Sequence, residues 1–420
     1  MKEKSSSSDR PRSALGKLEH ACLNANPALF SMNMGTGIAS ILLYNLPYNA
    51  RWLQYIGIAI FLVNIILFVL ISTATIIRHL RWKGIFGALG SHVLAGMYWG
   101  CMPMGLVTIV NMIAFVCVPR WGYRWAQLAL GLWWVDVVLA LVVNFGMMFM
   151  MFVRQTHTLE TISTALLLPI VSSVVAAASG GVVARALAPF DAELARSTVI
   201  VSYVVWGTGV PVAMFLITLW IYRTAVVGLP APSALPSLFL PLGPCGQGSF
   251  GIMLLGIVVR ELAYKYGIGF AITRPEGNPS ESILWLADGV YAAGLIMGLI
   301  LWGLGLVWYT LGMTITLHHI ARNRVYLSHK SFSVGWTGYT FPIGVWATAT
   351  TTLATELDSP AFKVLGTIVS LQVVFHWMYV FSMGCWKAST GALFVAPELG
   401  QWDHGRPPLR WSKAGTREMV

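Results

Sequence analysis

Residues 52–77 read WLQYIGIAIFLVNIILFVLISTATII and contain no Asp, Glu, Lys or Arg. The hydrocarbon core of a bilayer is about 30 Å thick, so a helix that crosses it needs about 20 consecutive apolar residues. This run is long enough and predicts a membrane-spanning helix. The same test along the chain predicts ten spans, at residues 27–46, 52–77, 91–117, 125–152, 161–184, 197–222, 238–259, 282–317, 333–355 and 361–386.

The composition excludes most other classes of protein. Of 420 residues, 56% are hydrophobic and only 10% are charged, whereas a soluble domain carries about 25% charged residues. The mean hydropathy is +0.70. The five cysteines are scattered and match neither a disulfide framework nor zinc spacing. A soluble enzyme, a disordered chain and a secreted disulfide scaffold are excluded, and the predicted class is an all-α polytopic membrane protein.

Charge divides the chain into tails and a membrane domain. Residues 1–20 are polar and lack the apolar core of a signal peptide, so they are expected to form a cytosolic tail. The ten helices occupy residues 21–389, and residues 390–420 form a second cytosolic tail. Ten spans place both termini on one side, and that side holds twice as many of the 27 Lys and Arg residues as the other. Such a bias marks the cytosolic side. The net charge of +11 is therefore explained by topology rather than by nucleic acid.

Prolines recur in the odd-numbered spans. The positions are Pro27, Pro103, Pro169, Pro244 (with Pro241) and Pro342, and each has small or hydroxyl residues nearby. The even-numbered spans contain only Pro211 in their interiors. A proline removes a backbone hydrogen bond, and the freed carbonyl must lie in protein or face a wet cavity. The pattern predicts five helical hairpins, each with a kinked odd helix inside and a regular even helix outside. Packing of the helices alone is the competing explanation for these prolines.

Hairpins of this kind have a consequence for charge selectivity. The five odd helices would run in the same direction, and their positive N-terminal ends would surround the cytosolic mouth of a central pore. Helix N-termini favour anions. The sequence therefore predicts an anion pathway.

Two segments resemble motifs of a known family. Residues 26–40, NPALFSMNMGTGIAS, resemble the first-helix signature of the tellurite-resistance/dicarboxylate transporter family, and Tyr339-Thr340-Phe341-Pro342 resembles its ninth-helix motif. Trp82-Lys-Gly-Ile-Phe-Gly87 and Tyr98-Trp-Gly100 resemble the fungal sulfite efflux branch of that family, which also includes plant slow anion channels. The resemblance covers all ten spans. It implies a plasma-membrane homotrimer in which each protomer has its own pore, lined by the odd helices, plugged by a phenylalanine and able to export sulfite or bisulfite without a cofactor.

Phe341 is the predicted gate. It precedes Pro342, and a kink there would aim its ring at the pore axis, where a hydrophobic constriction blocks hydrated ions. Hydroxyl, amide and small residues are candidates for the pore lining, where they would solvate an anion weakly at several sites. They are Gly35, Gly37, Ser40, Ser172, Ser173, Gln247, Ser249 and Thr348. For each of them, contact between helices is the alternative role.

Ionisable residues inside a membrane are costly and often functional. Four fall in the predicted spans: Asp136, Asp288, His92 and His376. Three of the four lie on even helices, where pairing across helices or a subunit contact is expected and a proton relay is the alternative. Arg185, Arg260 and Lys265 lie near the outer ends of odd helices, where long side chains reach the interface.

Other functions remain open at this stage. An intramembrane enzyme needs a nucleophile–base pair or paired metal ligands at one depth, and no span carries Glu and His at helical spacing. A cation carrier or proton-coupled carrier would place carboxylates inside the odd spans, which have none there. The chain has no nucleotide-binding motif, which argues against an ATP-driven pump. Within the family, a dicarboxylate such as malate or a small inorganic anion is the alternative substrate.

Overall fold

In the computed structural model of the protein, residues 14–271, 279–322 and 333–401 are described, and this part of the chain is helical without a strand. The α-helices of these residues are α1 (Ala14–Leu23), α2 (Phe30–Tyr44), α3 (Arg51–Arg81), α4 (Ile85–Ser91), α5 (Cys101–Met112), α6 (Val118–Trp121), α7 (Tyr123–Val153), α8 (Leu167–Leu187), α9 (Ala192–Val227), α10 (Leu242–Tyr266), α11 (Pro279–Arg322), α12 (Thr340–Glu356) and α13 (Pro360–Ser389).

Eight helical segments of the described residues are long and apolar enough to cross a membrane. They are Arg51–Arg81, Ala95–Trp121, Tyr123–Val153, Thr164–Leu187, Ala192–Val227, Ala234–Tyr266, Glu281–Arg322 and Pro360–Ser389. The prediction of an all-α polytopic membrane protein is confirmed. The first and ninth predicted spans correspond to α2 and α12, which have only 15 and 17 residues.

Burial separates the long helices into two groups. In α3, α7, α9, α11 and α13, between 22% and 33% of the most apolar window is buried. In the segments that contain α5, α8 and α10, between 89% and 100% of it is buried. An apolar surface that is not covered by protein suits contact with lipid tails, whereas the second group is enclosed by other helices. This division agrees with the expectation that odd-numbered spans lie inside and even-numbered spans outside.

The inner helices form a closed series of contacts. Helix α2 contacts α5, α5 contacts α8, α8 contacts α10, α10 contacts α12, and α12 returns to α2. Each of these inner helices also contacts the long outer helix that follows it in the chain: α3, α7, α9, α11 and α13 respectively. Helices α2, α5, α8, α10 and α12 are called the inner ring below.

The recurrent prolines lie where the inner helices begin. Pro103, Pro169, Pro244 and Pro342 are each the third residue of an α-helix, and a 3₁₀ segment precedes each of these helices. Pro27 opens the short 3₁₀ segment before α2. The first turn of an α-helix does not use its N–H groups, so a proline costs little there. The expected mid-span kinks are therefore changes of helix type at helix starts. Pro211 lies within the continuous helix α9.

A π-helix interrupts the third predicted span. It covers Ile113–Cys117 and joins α5 to α6. Single π-helical turns are rare and leave one extra residue in the turn. The sequence analysis did not predict this break, since no proline or glycine lies within these five residues.

The chain after α13 differs from the expected free tail at 390–420. Glu398 is fully buried, and its Oε1 accepts a hydrogen bond from Arg78 Nη2 at 2.7 Å. Asn26 Nδ2 donates to the carbonyl of Val395 at 3.0 Å. A buried guanidinium needs an opposite charge, and residue 398 supplies it for the end of α3. Residues 390–401 thus belong to the helical body. Residues 14–20 of the other expected tail lie in α1, while residues 1–13 and 402–420 of the two tails fall outside the described residues.

Candidate functional site

Two cavities lie within the inner ring. The smaller has a volume of about 300 Å³, and the larger has a volume of about 810 Å³. Each inner helix contributes residues to both cavities. The residues that line the smaller cavity are among the first five of the helix, and those that line the larger cavity are, with one exception, the sixth or later. The five helices therefore run in the same direction, with their N-terminal ends around the smaller cavity. This is the parallel arrangement that the hairpin pattern predicted.

Phe341 is the exception. It is the second residue of α12 and the one described residue that lines both cavities. Its side chain is 3% exposed. Its neighbour Pro342 lines the smaller cavity alone. A phenyl ring offers no hydrogen bond to a hydrated ion, so an apolar side chain lies where the two water-accessible spaces approach each other.

Two of the predicted pore-lining donors, Gln247 and Thr348, line the larger cavity. Gln247 is on α10, is 4% exposed and is the sixth residue of its helix. Thr348 is on α12, and its hydroxyl donates to the carbonyl of Gly344 at 3.1 Å.

The four predicted serines line neither cavity. Ser40 and Ser249 each donate to a backbone carbonyl of the adjacent outer helix, at 2.7 Å in both cases. Ser173 accepts from Asn144 of α7 at 2.9 Å. Ser172 donates to the carbonyl of Pro169 in its own helix at 2.5 Å and also lies within hydrogen-bond distance of the carbonyl of Ala140 of α7, at 3.3 Å. All four serines therefore join an inner helix to an outer one, which is the alternative role that small residues have in membranes.

The two predicted glycines permit close helix contact. A Cβ on Gly35 would meet Thr340 of α12 at 3.5 Å. A Cβ on Gly37 would overlap the Thr108 hydroxyl of α5 and press on the Asn64 amide of α3. Gly37 thus leaves room for the hydrogen bond from Asn64 Nδ2 to Thr108 Oγ1, which measures 3.0 Å. Neither glycine lines either cavity.

The two aspartates within predicted spans lie away from both cavities. Asp136 of α7 is fully buried, and neither of its carboxylate oxygens has a hydrogen-bond partner among the described residues. Asp288 of α11 accepts from Arg260 Nε at 2.9 Å and from the Tyr264 hydroxyl at 2.7 Å. Asp288 therefore forms the expected pair between helices.

The two histidines have structural contacts. His92 Nδ1 accepts from the backbone N–H groups of Leu94 and Ala95, at the start of the 3₁₀ segment before α5. His376 Nε2 lies 3.2 Å from the carbonyl oxygen of Trp336. Neither histidine lines the smaller or the larger cavity.

Charged groups line the larger cavity at the end farther from Phe341, where the C-terminal ends of the inner helices lie; this end is called the outer end below. Arg185 is the third residue from the end of α8 and donates from Nη2 to Glu261 at 2.7 Å. Lys363 places its Nζ 4.8 Å from the ring centroid of Tyr48. Glu356 and Asp358 line the same end. Lys265, which the sequence also placed near the outer end of an odd helix, has its Nζ 3.6 Å from Oε1 of Glu261.

Sequence reasoning missed Asn111 of α5, which lines the larger cavity and is 6% exposed. The signal was a carboxamide within an otherwise apolar run, eight residues after Pro103. Asn64 and Asn144 carry the same signal, but they bond between helices and line neither cavity. The residue type alone does not distinguish these roles.

Comparison with known proteins places the chain in a family. The family model for SLAC1, described as a voltage-dependent anion channel, matches residues 24–384. The chain belongs to the SLAC1 family. The match covers the whole inner ring and all of the outer helices except the last five residues of α13, so the two cavities lie within the family domain. The family and its named members are transporters and channels rather than enzymes.

Several relatives are named for the anion that they move. The chain is 40% identical over 374 residues to the sulfite efflux pump SSU1 of Arthroderma benhamiae, an alignment that covers 89% of this chain and 93% of that protein. The sulfite efflux pump of Saccharomyces cerevisiae is 27% identical over 387 residues, covering 82% of this chain and 83% of the relative. The malic acid transport protein of Schizosaccharomyces pombe is 23% identical over 350 residues, an alignment that covers 83% of this chain and 75% of that protein.

Proposed function

We propose that this chain exports sulfite or bisulfite from the cytosol. The observation that carries the proposal is the 40% identity to a sulfite efflux pump over 89% of the chain. An inner ring with a cavity on each side of Phe341 supports a pathway through the protomer. The N-terminal ends of five parallel helices surround the smaller cavity, and helix N-termini attract anions. In this proposal the smaller cavity receives the anion from the cytosol.

The proposed pathway contains one apolar barrier and a few neutral donors. Ten transmembrane helices form five hairpins around it, with α2 and α12 as the short first and ninth spans. Phe341 is the gate, and its ring must rotate away before an ion can pass between the cavities. Gln247 supplies amide hydrogens beyond the gate, while Thr348 lines the pathway with a hydroxyl whose hydrogen is given to the carbonyl of Gly344. Donors without full charge bind an anion weakly enough to release it.

The proposed assembly follows the family resemblance. The protein is a homotrimer in the plasma membrane, each protomer has its own pathway, and both termini are cytosolic. The two-to-one distribution of Lys and Arg supports this orientation. The exposed apolar faces of the outer helices supply the surface for lipid and for neighbouring protomers.

Malate is the second candidate substrate, because a malic acid transport protein is also a relative. Its identity of 23% is lower than the 40% of the sulfite efflux pump. No positive charge lines the inner part of the larger cavity among the described residues, since Arg185 and Lys363 lie at its outer end. A dicarboxylate would therefore meet neutral donors only, which favours the smaller and less charged bisulfite.

The test is flux in liposomes that contain the purified protein. We expect sulfite to leave loaded vesicles faster than malate or chloride, and we expect no dependence on sodium or potassium gradients. Measurements at several pH values separate sulfite from bisulfite as the species that crosses. Malate flux above sulfite flux would assign the protein to the dicarboxylate transporters. Currents that reverse with a cation gradient would contradict an anion pathway altogether.

A further inference from the structure

Hydroxyl groups dominate the polar lining of the larger cavity, but their hydrogens are already used. Five threonines line it, and each donates to a carbonyl of its own helix: Thr108 to Gly105, Thr348 to Gly344, Thr351 and Thr352 to Thr348, and Thr355 to Thr351. Such back-bonding is common for threonine in helices. An anion accepts hydrogen bonds and needs donors, so these hydroxyls present mainly their oxygens to it. The wall of hydroxyls is a poor anion site.

Carboxamides are the remaining neutral donors of this lining. Asn45 Nδ2 donates to the carbonyl of Ile41 at 3.2 Å. Asn111 and Gln247 donate no side-chain hydrogen bond to any described residue, and both line the cavity. Each therefore has two N–H hydrogens for a bound molecule. The cations Arg185 and Lys363 lie at the outer end, where the Arg185 side chain is 55% exposed.

Ser179 determines which end of the Asn111 amide faces the cavity. Its hydroxyl, which is fully buried on α8, donates to Asn111 Oδ1 at 2.6 Å. Because the oxygen is engaged by α8, the NH₂ group is the end that remains for the cavity. Helix α8 is itself fixed at this depth, since Trp133 of α7 donates from Nε1 to the carbonyl of Ala176 at 2.9 Å. The donor end of Asn111 is thus held in place by two helix contacts.

We propose that Asn111, oriented by Ser179, is an anion-binding residue of the pathway, in series with Gln247. This inference rests on the proposed function. Gln247 is the sixth residue of α10 and Asn111 is the eleventh residue of α5, so five residues separate their depths in parallel helices. At 1.5 Å per residue, the separation along the axis is about 7.5 Å. An anion that passes Phe341 meets Gln247 first and Asn111 second.

The chemistry of this pair selects a small oxyanion. Carboxamide N–H groups donate directional hydrogen bonds that match the oxygens of sulfite or bisulfite, and they carry no charge that would retain the ion. Two weak sites in series favour conduction, because an ion at one site can be replaced from the other. Ser179 has a positioning role and does not itself line the cavity.

The experiment measures the sulfite concentration that gives half-maximal flux in liposomes, for wild type and three variants. Asn111→Leu removes the donors, Asn111→Asp keeps an acceptor for Ser179 but presents a negative charge, and Ser179→Ala releases the amide. We expect the half-saturating concentration to rise at least about tenfold for Asn111→Leu, as for loss of a hydrogen bond to an ion. We expect a larger rise for Asn111→Asp and a smaller one for Ser179→Ala.

The matched control is Thr352→Val, which changes a cavity-lining hydroxyl whose hydrogen is already used. It should leave half-saturation unchanged. Wild-type half-saturation in Asn111→Leu and Asn111→Asp would overturn the inference, while absence of sulfite flux in wild type would overturn the proposed function instead. If Asn111→Leu does not assemble, Asn111→Asp and Ser179→Ala decide the point. A lower melting temperature with unchanged half-saturation in those two would assign the Ser179–Asn111 pair to helix packing and reject the site.

Discussion

The ion pair between Arg78 and Glu398 is expected to hold the end of the chain to the helical body. Both side chains are fully buried, and Arg78 also donates from Nε to the carbonyl of Leu23 at 2.8 Å. Removing one member of a buried ion pair costs about 3–5 kcal/mol, because the other charge is left without a partner. Glu398→Gln keeps the size of the side chain but removes its charge. We expect a loss of about 3 kcal/mol, which lowers the equilibrium constant for folding more than a hundredfold.

The double variant separates the charge from the packing. Arg78→Met with Glu398→Gln removes both charges, and replacement of a buried pair by apolar or neutral groups is often close to neutral. The double variant should therefore be more stable than Arg78→Met alone, although the bond to Leu23 is lost in both. The measurement is thermal unfolding in detergent. Samples are heated to a series of temperatures, and gel filtration then gives the fraction of protein that remains folded.

Two truncated chains test the same role of Glu398. A chain that ends after Ala396 lacks Glu398, whereas a chain that ends after Gln401 keeps it together with the last described 3₁₀ segment. We expect the shorter chain to unfold at the lower temperature and the longer one to resemble wild type. Equal stability of Glu398→Gln and wild type would refute the reasoning, and so would a double variant less stable than either single one.

Three further changes test other features. Phe341→Ala should raise sulfite flux per folded protein in liposomes, while Phe215→Ala, at an exposed position of α9, should leave the flux unchanged. Lower flux in a well-folded Phe341→Ala protein would mean that Phe341 is a packing residue rather than the gate. Gly37→Ala should lower the unfolding temperature because its methyl group overlaps Thr108, whereas Gly131→Ala meets open space and should not; equal effects would contradict the close contact. Burial lowers the pKa of His157 from 6.5, so the unfolded chain binds the proton at a higher pH than the folded protein does, and stability should fall as pH drops below 6.5. His157→Gln should reduce this fall, and unfolding temperatures measured above and below pH 6.5 would show the difference.

The class of the protein and the division into inner and outer helices were predictable from local patterns. Long apolar runs such as 52–77 define helices without reference to the rest of the chain. The prolines marked the inner helices correctly because a missing N–H is tolerated only in certain places. The sequence did not reveal that these places are junctions between 3₁₀ and α-helix. A missing donor marks a break but does not specify the geometry on either side of it.

The candidate site was only partly predictable. Phe341, Gln247 and Thr348 line the cavities, whereas the serines and glycines serve contacts between helices, and the roles of gate and anion-binding residues stay predictions. A serine in an apolar span suits both roles, and the direction in which it faces depends on its neighbours. The burial of Glu398 was equally hidden, because its partner Arg78 lies 320 positions earlier in the chain. Polar composition at the end of a chain predicts exposure unless such a distant partner exists.

The two cavities share one lining residue, and this gives the protein a simple means of adjustment. Side-chain rotations take place in picoseconds to nanoseconds when space permits, whereas collective movements of helices take microseconds to milliseconds. In the proposed pathway, a barrier one side chain deep can therefore open while the inner ring stays still. Throughput would then depend on the volume of a single side chain. Because Phe341 is also buried among the inner helices, substitutions at position 341 would tune the rate of export and the stability of the inner ring together.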